Sequence, residues 1–244
     1  MTNGGQRIAT ASGVMLADPA GLGNALQSDA RALFDPDFWA ARGELNAVDS
    51  GRGAAWFIGP ASNQWVLRHY RRGGLIAGIS KDRYVWSGER RVRAFAEWRL
   101  LEQLAKAGLP VPKPIAAWYR RAGLTYSCDL IIQRIADAQS LSAVLRSIAL
   151  TQASWNAVGA MIAKFHHAGV DHADLNAHNI LLDAAQRVSV IDFDRGRMRS
   201  PGSWRLRNLR RLHRSLLKIS RALPPGRITP QAWDELMAGY LAFP

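Results

Sequence analysis

The spacing of apolar residues changes period several times along this chain, and each change predicts an element. From Gly51 the segments GRGAAWFIG and QWVLRHY read as strands. In the second, Trp65, Leu67 and His69 alternate with Val66, Arg68 and Tyr70, the two-residue period of a strand with two distinct faces. Gly59-Pro60-Ala61-Ser62-Asn63 between them predicts a hairpin turn. Residues 89–107 place Val92, Phe95, Leu101, Leu104 and Ala105 at helical spacing, and Gly108 with Pro110 ends the pattern. LPVPKPIAAWY is extended, because each proline disfavours helix in the residue before it, and Leu124 to Ile135 makes a further strand. After Asp137 the period turns helical again over Leu141 to Leu150 and Thr151 to His167. The second of these carries Trp155, Val158, Ile162 and Phe165 on one face, Thr151 or Ser154 as N-cap, and Gly169 as its stop. Two short apolar runs, residues 179–182 and 188–191, flank a turn at 183–186 and predict another hairpin. A last run from Trp204 sets Leu206, Leu209, Leu212, Leu216 and Ile219 in one apolar stripe.

Strands with one long helix, followed by helices, predict an α+β fold of two lobes. The first covers residues 1–134 and the second 135–244. Residues 1–48 give only weak signals, with Pro19, Gly21, Gly23 and Pro36 punctuating short apolar pieces, and read as an N-terminal extension or an edge of the first lobe. A length of 244 residues with 48% apolar composition suffices for two small cores. The single cysteine, Cys128, excludes an internal disulfide and a cysteine-based zinc site, and its apolar setting predicts an inert buried thiol. The start, MTNGGQRIAT, lacks the charged-then-apolar design of a secretory signal, and no apolar stretch approaches the roughly 18 residues a membrane span requires. A cytosolic or peripheral protein is expected.

Charge changes this picture. The formal net charge is +13, 27 of the 32 basic residues are arginine, and they are clustered. Residues 66–106 hold ten Lys or Arg against four Asp or Glu, and residues 195–221 hold ten against none. Arginine richness by itself can reflect genome composition, but clustering points to a polyanionic partner: nucleic acid, an anionic lipid surface or a phosphorylated substrate.

The acidic residues are clustered too. Four of only 19, Asp174, Asp183, Asp192 and Asp194, fall within 21 positions beside His172, Asn176, His178 and Asn179, in HADLNAHNILLDAAQRVSVIDFDRGR. Asp and Asn are turn residues, and a loop-rich hairpin accounts for some of this. Phosphoryl transfer from ATP, however, needs a carboxylate to orient the acceptor hydroxyl and hard oxygen ligands for Mg²⁺. Asp174 suits the first role, and Asn179 and Asp192 the second, because a hairpin between them would bring Asn179 and Asp192 together. Asp194 either reinforces the metal site or caps the following turn, and the turn is preferred.

These residues resemble a protein-kinase-like site. His172, Asp174, Leu175 and Asn179 are similar to the catalytic loop H-R-D-L-x-x-x-N, and Asp192-Phe193-Asp194 to D-F-G. The resemblance implies a protein-kinase-like bilobal fold, with an antiparallel-sheet N-lobe carrying one long helix and a reduced, mainly helical C-lobe. It also implies ATP and Mg²⁺ as cofactors, Asp174 as catalytic base, and Asn179 and Asp192 as metal ligands. Gly51-Arg52-Gly53 resembles a truncated glycine-rich loop over the nucleotide phosphates. Arg68 stands where kinases carry the strand lysine, with Glu97 as its candidate partner; His172 is assigned a structural part only.

Only 52 residues follow Asp192, without an A-P-E segment, so no peptide-binding platform is expected. GRGAAWF, WVLRHYRRGG, GLPVPKPIAA, DLNAHNILLD, VSVIDFDRGR and the run from Trp204 to Lys218 resemble, over about residues 50–220, the lipopolysaccharide-core sugar kinases. Among these they are most similar to the 3-deoxy-D-manno-octulosonic acid (Kdo) kinase family. That family carries arginine at the position of Arg68. The resemblance implies phosphorylation of a Kdo hydroxyl on a lipid A precursor by a peripheral protein at the cytoplasmic face of a Gram-negative inner membrane. It further implies an anionic membrane surface as partner and no nucleic acid. Two other readings stay open. A heptose or aminoglycoside kinase would share the catalytic residues, although cationic acceptors call for an acidic cleft. A basic nucleic-acid-binding module would use the arginines of 195–221 without needing Asp174 or Asp192.

Overall fold

The computed structural model describes residues 5–11, 13–47, 55–60, 64–71 and 82–243. The chain divides into two compact units, Met1–Gln103 with Pro112–Arg134, and Leu104–Val111 with Ile135–Pro244. The cut falls inside one helix, whose last turn and following loop go with the second unit. There the Val190 N–H donates to the Pro110 carbonyl (3.1 Å) and Lys164 Nζ to that of Gly108 (3.2 Å).

The first unit is built on an antiparallel sheet. Strands β1 (Gln6–Thr10), β2 (Gly13–Ala17), β3 (Leu45–Ala47), β4 (Ala55–Ile58), β5 (Trp65–His69), β7 (Pro114–Ala122) and β8 (Thr125–Gln133) run in the order β1-β2-β7-β8-β5-β4-β3, and β6 (Tyr84–Val85) pairs with β8. The alternation read in QWVLRHY separates two faces. Trp65 and Leu67 join Met15, Ile115, Trp118 and Ile131 in a core. Short helices α1 (Pro19–Leu22), α2 (Ala30–Leu33) and α3 (Pro36–Ala41) bring Leu22, Leu33 and Trp39 to the same core. The described part of this N-terminal stretch therefore supplies strands at the two ends of the sheet and a cover for one face. Their signal in sequence is faint because helices of four to six residues show no full period; Asp29 and Asp35, whose side chains accept from the backbone two residues on, are the readable marks. Toward the other face points α4 (Arg93–Lys106), with Phe95 edge-on to Tyr119 at 5.2 Å. The run predicted as one helix over 89–107 begins with a separate 3-10 turn at Glu89–Arg91, after which Val92 is extended. Glu89 is drawn sideways there, accepting from Arg7 and from the Tyr119 hydroxyl, each at 2.9 Å.

The second unit is mainly helical. Helix α5 (Leu141–Ser147) is capped by Ser140 and α6 (Gln152–His167) by Thr151. Trp155, Val158, Ile162 and Phe165 of α6 are all buried. Helix α8 (Ala232–Ala242) crosses α6 at two glycines. A Cβ on Gly159 would lie 1.9 Å from the Leu236 carbonyl, and one on Gly239 would lie 2.1 Å from that of Asn156, so only hydrogen fits. Two small sheets carry the loops of interest: β9 (Ala138–Ser140), β11 (Ile180–Asp183) and β12 (Val188–Val190) in the order β12-β11-β9, and β10 (Val170–Asp171) with β13 (Arg197–Met198). Helix α7 (Trp204–Ser220) buries Leu209, Leu212 and Leu216, whereas Leu206, expected in the same stripe, is 56% exposed. No helix among the described residues is long and apolar enough to cross a membrane.

Candidate active site

Asp174 lies in the loop between β10 and β11, and its backbone is fixed from both sides. Its N–H donates to His172 Nδ1 (3.2 Å), and its carbonyl accepts from the side-chain amides of Asn176 and Asn179 (2.9 Å each). Since Nδ1 of His172 accepts, Nε2 carries the proton and donates to the Ile191 carbonyl at 2.9 Å. His172 is buried, its ring 4.8 Å from that of Phe193, which stacks on Phe165 at 5.9 Å. The histidine thus ties the Asp174 loop to the residue before Asp192.

The hairpin does the rest. In the register Ile180 opposes Val190, and the Ile191 N–H donates to the Asn179 carbonyl (3.0 Å), so Asn179 and Asp192 are brought together at its open end. Asn179 is buried, and its amide nitrogen is committed to the Asp174 carbonyl, which leaves the amide oxygen as the atom it can offer a cation. Asp192 sits at φ 65°, a left-handed conformation sparsely populated for residues with a side chain and concentrated at functional sites. No group of three or more His, Cys, Asp or Glu that could hold a metal occurs among the described residues. One carboxylate and one amide oxygen suit Mg²⁺, which takes one or two protein ligands and completes its octahedron with phosphate and water.

Helix α7 closes the loop from a side that the sequence reading did not anticipate. Asn208 accepts from the His172 N–H (3.0 Å) and donates to Asp171 Oδ1 (2.9 Å), whose other oxygen takes Arg199 at 3.0 Å. Ser215 accepts from the Ala177 N–H (3.2 Å), and between them Arg211 donates to Asp174 Oδ1 through Nε (2.6 Å) and Nη2. Positions 208, 211 and 215 share one helix face, bordering the buried leucines. The available signal was a buried-side asparagine next to Leu209, but its partners lie 36 and 37 residues away.

In the first unit Arg68 and Glu97 are brought together: Arg68 Nη1 donates to Glu97 Oε1 at 2.9 Å. Glu97 is 2% exposed, and its other oxygen accepts from the buried Tyr70 hydroxyl. Burial first, and the neighbouring Glu97 charge second, push the Tyr70 phenol well above its ordinary pKa, so it remains a neutral donor. Cys128 is buried and pushed up to about 12 by desolvation, as befits an inert thiol. Gly51 and Gly53 lie outside the described residues.

Sequence comparison agrees with a kinase-like arrangement of this kind. The chain is 52% identical over 195 residues (79% of this chain, 77% of the relative) to a 3-deoxy-D-manno-octulosonic acid kinase of Xanthomonas axonopodis pv. citri. It is 51% identical over the same shares to one of Xanthomonas euvesicatoria pv. vesicatoria. A third relative of that name, from Xylella fastidiosa, is 48% identical over 188 residues (77% and 75%). Residues 36–240 match the family model and contain both the Arg68–Glu97 pair and the whole Asp174–Asp192 hairpin, so this chain belongs to the lipopolysaccharide kinase (Kdo/WaaP) family.

Proposed function

We propose that this protein is a Kdo kinase, transferring the γ-phosphoryl group of ATP to a hydroxyl of Kdo on a lipid A precursor. The observation that supports this most directly is the hairpin joining Asn179 to Asp192 with the Asp174 backbone held by the same asparagine, in a chain about half identical to relatives named for that activity. Mg-ATP supplies the phosphoryl group and the cation that neutralises its developing charge. Asp174 orients the acceptor hydroxyl and takes its proton as the new oxygen–phosphorus bond forms and the bond to the ADP oxygen breaks; the proton then passes to water. Asn179 and Asp192 would hold the Mg²⁺. Arg68, oriented by Glu97, would pair with nucleotide phosphates, and the backbone N–H groups of Gly51 and Gly53 would serve the same ligand.

The acceptor is a phosphorylated lipid, which suits the exposed arginines of α7 and a peripheral position on the anionic cytoplasmic face of the inner membrane. Nucleic acid is not a partner in this reading, because a hairpin dedicated to Asp174, Asn179 and Asp192 would then serve nothing. The test is transfer of label from γ-labelled ATP to a Kdo-lipid A precursor, with heptose-bearing and aminoglycoside acceptors alongside. Labelling confined to the Kdo acceptor supports the assignment; labelling of another acceptor in its place moves the protein to a different sugar-kinase activity.

A further inference from the structure

The carboxylate assigned as base is already occupied. Arg211 Nε lies 2.6 Å from Asp174 Oδ1, with Nη2 on the same oxygen, and both side chains are about half exposed, at 47% and 44%. An exposed ion pair is ordinarily worth little and would be unremarkable on a free helix. This one is not on a free helix. Asn208 and Ser215 pin α7 to the backbone of the same loop on either side of Arg211, so the guanidinium is delivered to the base by a fixed support. Its neighbour Arg207, by contrast, donates to the Ser203 hydroxyl at the start of its own helix. A guanidinium beside the point where the acceptor hydroxyl must sit offers a planar fork to an anionic oxygen pair on that acceptor. The acceptor named for the relatives is an acid.

We propose that Arg211 is a specificity-determining residue. It rests on Asp174 when no acceptor is present and turns its fork to an anionic group of the acceptor beside the reacting hydroxyl, freeing Asp174 for that hydroxyl. This rests on the Kdo kinase reading. The recognised chemistry is a carboxylate or phosphate, and the two sources, the sugar's acid group and a lipid phosphate, are separated by the assay. Wild type, Arg211→Gln and Arg211→Lys are compared on the Kdo-lipid A precursor, on its carboxyl-reduced form and on its dephosphorylated form. With the intact acceptor, Arg211→Gln raises the acceptor KM by about 10- to 100-fold, the scale of a lost charge-assisted contact, while the KM for ATP is unchanged. Arg211→Lys, which keeps the charge without the fork, recovers part of the loss. On the acceptor lacking the recognised anion, wild type and Arg211→Gln converge, and which modified acceptor does this identifies the anion. If Arg211→Gln costs the same factor on all three acceptors, or alters the KM for ATP equally, Arg211 merely steadies the loop and the proposal is wrong. Absence of wild-type turnover on every Kdo acceptor is a separate result, which overturns the function together with this inference.

Discussion

At the scale of single residues, the roles separate by what each substitution leaves behind. Asp174→Asn keeps the backbone bonds to His172, Asn176 and Asn179 and removes the charge, and with it the ion pair to Arg211. We expect kcat to fall about 10²-fold or more with nucleotide affinity nearly intact, since the group acts on the acceptor; near-normal turnover would remove it from the mechanism. Asp192→Ala deletes a proposed metal ligand, so Mg²⁺-dependent nucleotide binding, measured by titration calorimetry, should weaken together with activity, and Asn179→Ala should act likewise but more mildly. Unchanged Mg²⁺-dependent binding in Asp192→Ala would count against the hairpin as a metal site. That Asn179 and Asp192 come together was legible in sequence because hairpin register is local: from Asn179 to Asp192 the chain only goes out and back. Asn208 and Ser215 were not, because nothing near them in sequence indicates that their partners are backbone groups of the His172 loop. Arg68 and Glu97 lay between these cases, 29 residues apart, found through the resemblance and not through any pattern of their own.

At the scale of elements, α4, α6 and the β11–β12 hairpin were readable because each spans enough of its own period to declare a face. Helix α8 was missed, since its contact with α6 depends on glycines, which carry no periodic signal. That contact is testable: Gly159→Ala drives a methyl into the Leu236 carbonyl, and overpacking of this kind costs about 1–3 kcal/mol. Denaturant unfolding as stable as the parent's would show that the two helices can move apart freely. The basic helix α7 shows how a stripe can be half right. Leu209, Leu212 and Leu216 form its core side, while Leu206 and Leu217 emerge at 56% and 52% exposure, on the side that carries Arg210, an arrangement suited to an anionic lipid surface. Replacing Arg207, Arg210 and Arg214 with glutamine, and leaving Arg211 alone, should weaken sedimentation with anionic vesicles by about 3 kcal/mol at low salt, roughly 10²-fold. The difference should shrink as salt rises, and equal binding by variant and parent would leave these arginines merely solvated.

At the scale of the molecule, charge clustering was legible from composition, but the charges that matter for stability are buried ones, and burial is a property of the fold. His166 illustrates this. It lies at the end of α6, its ring edge-on to Trp204 of α7 at 5.1 Å, and its Nδ1 is 2.9 Å from the Tyr240 hydroxyl of α8, so one imidazole links three helices. Desolvation pushes its pKa down to about 4, helped by the Arg205 and His167 charges and opposed by Asn208 and Asp171. A histidine held neutral in the fold stabilises nothing extra above its unfolded pKa of about 6.5, where both states are neutral. As pH falls below that value the unfolded chain takes up a proton that the folded one refuses, so stability declines until the folded imidazole also protonates near pH 4 and the loss levels off. Between pH 7 and 4 this single group should remove roughly 2–3 kcal/mol. Carboxylates titrate in the same window, so the measurement is a difference. Denaturant unfolding of wild type and His166→Gln is followed from pH 7 to pH 4; the variant starts less stable, having lost its packing, and falls with a shallower slope because its side chain cannot protonate. Parallel curves would mean that the imidazole takes up its proton as readily in the folded chain as in the unfolded one, and that the junction of α6, α7 and α8 tolerates a charge.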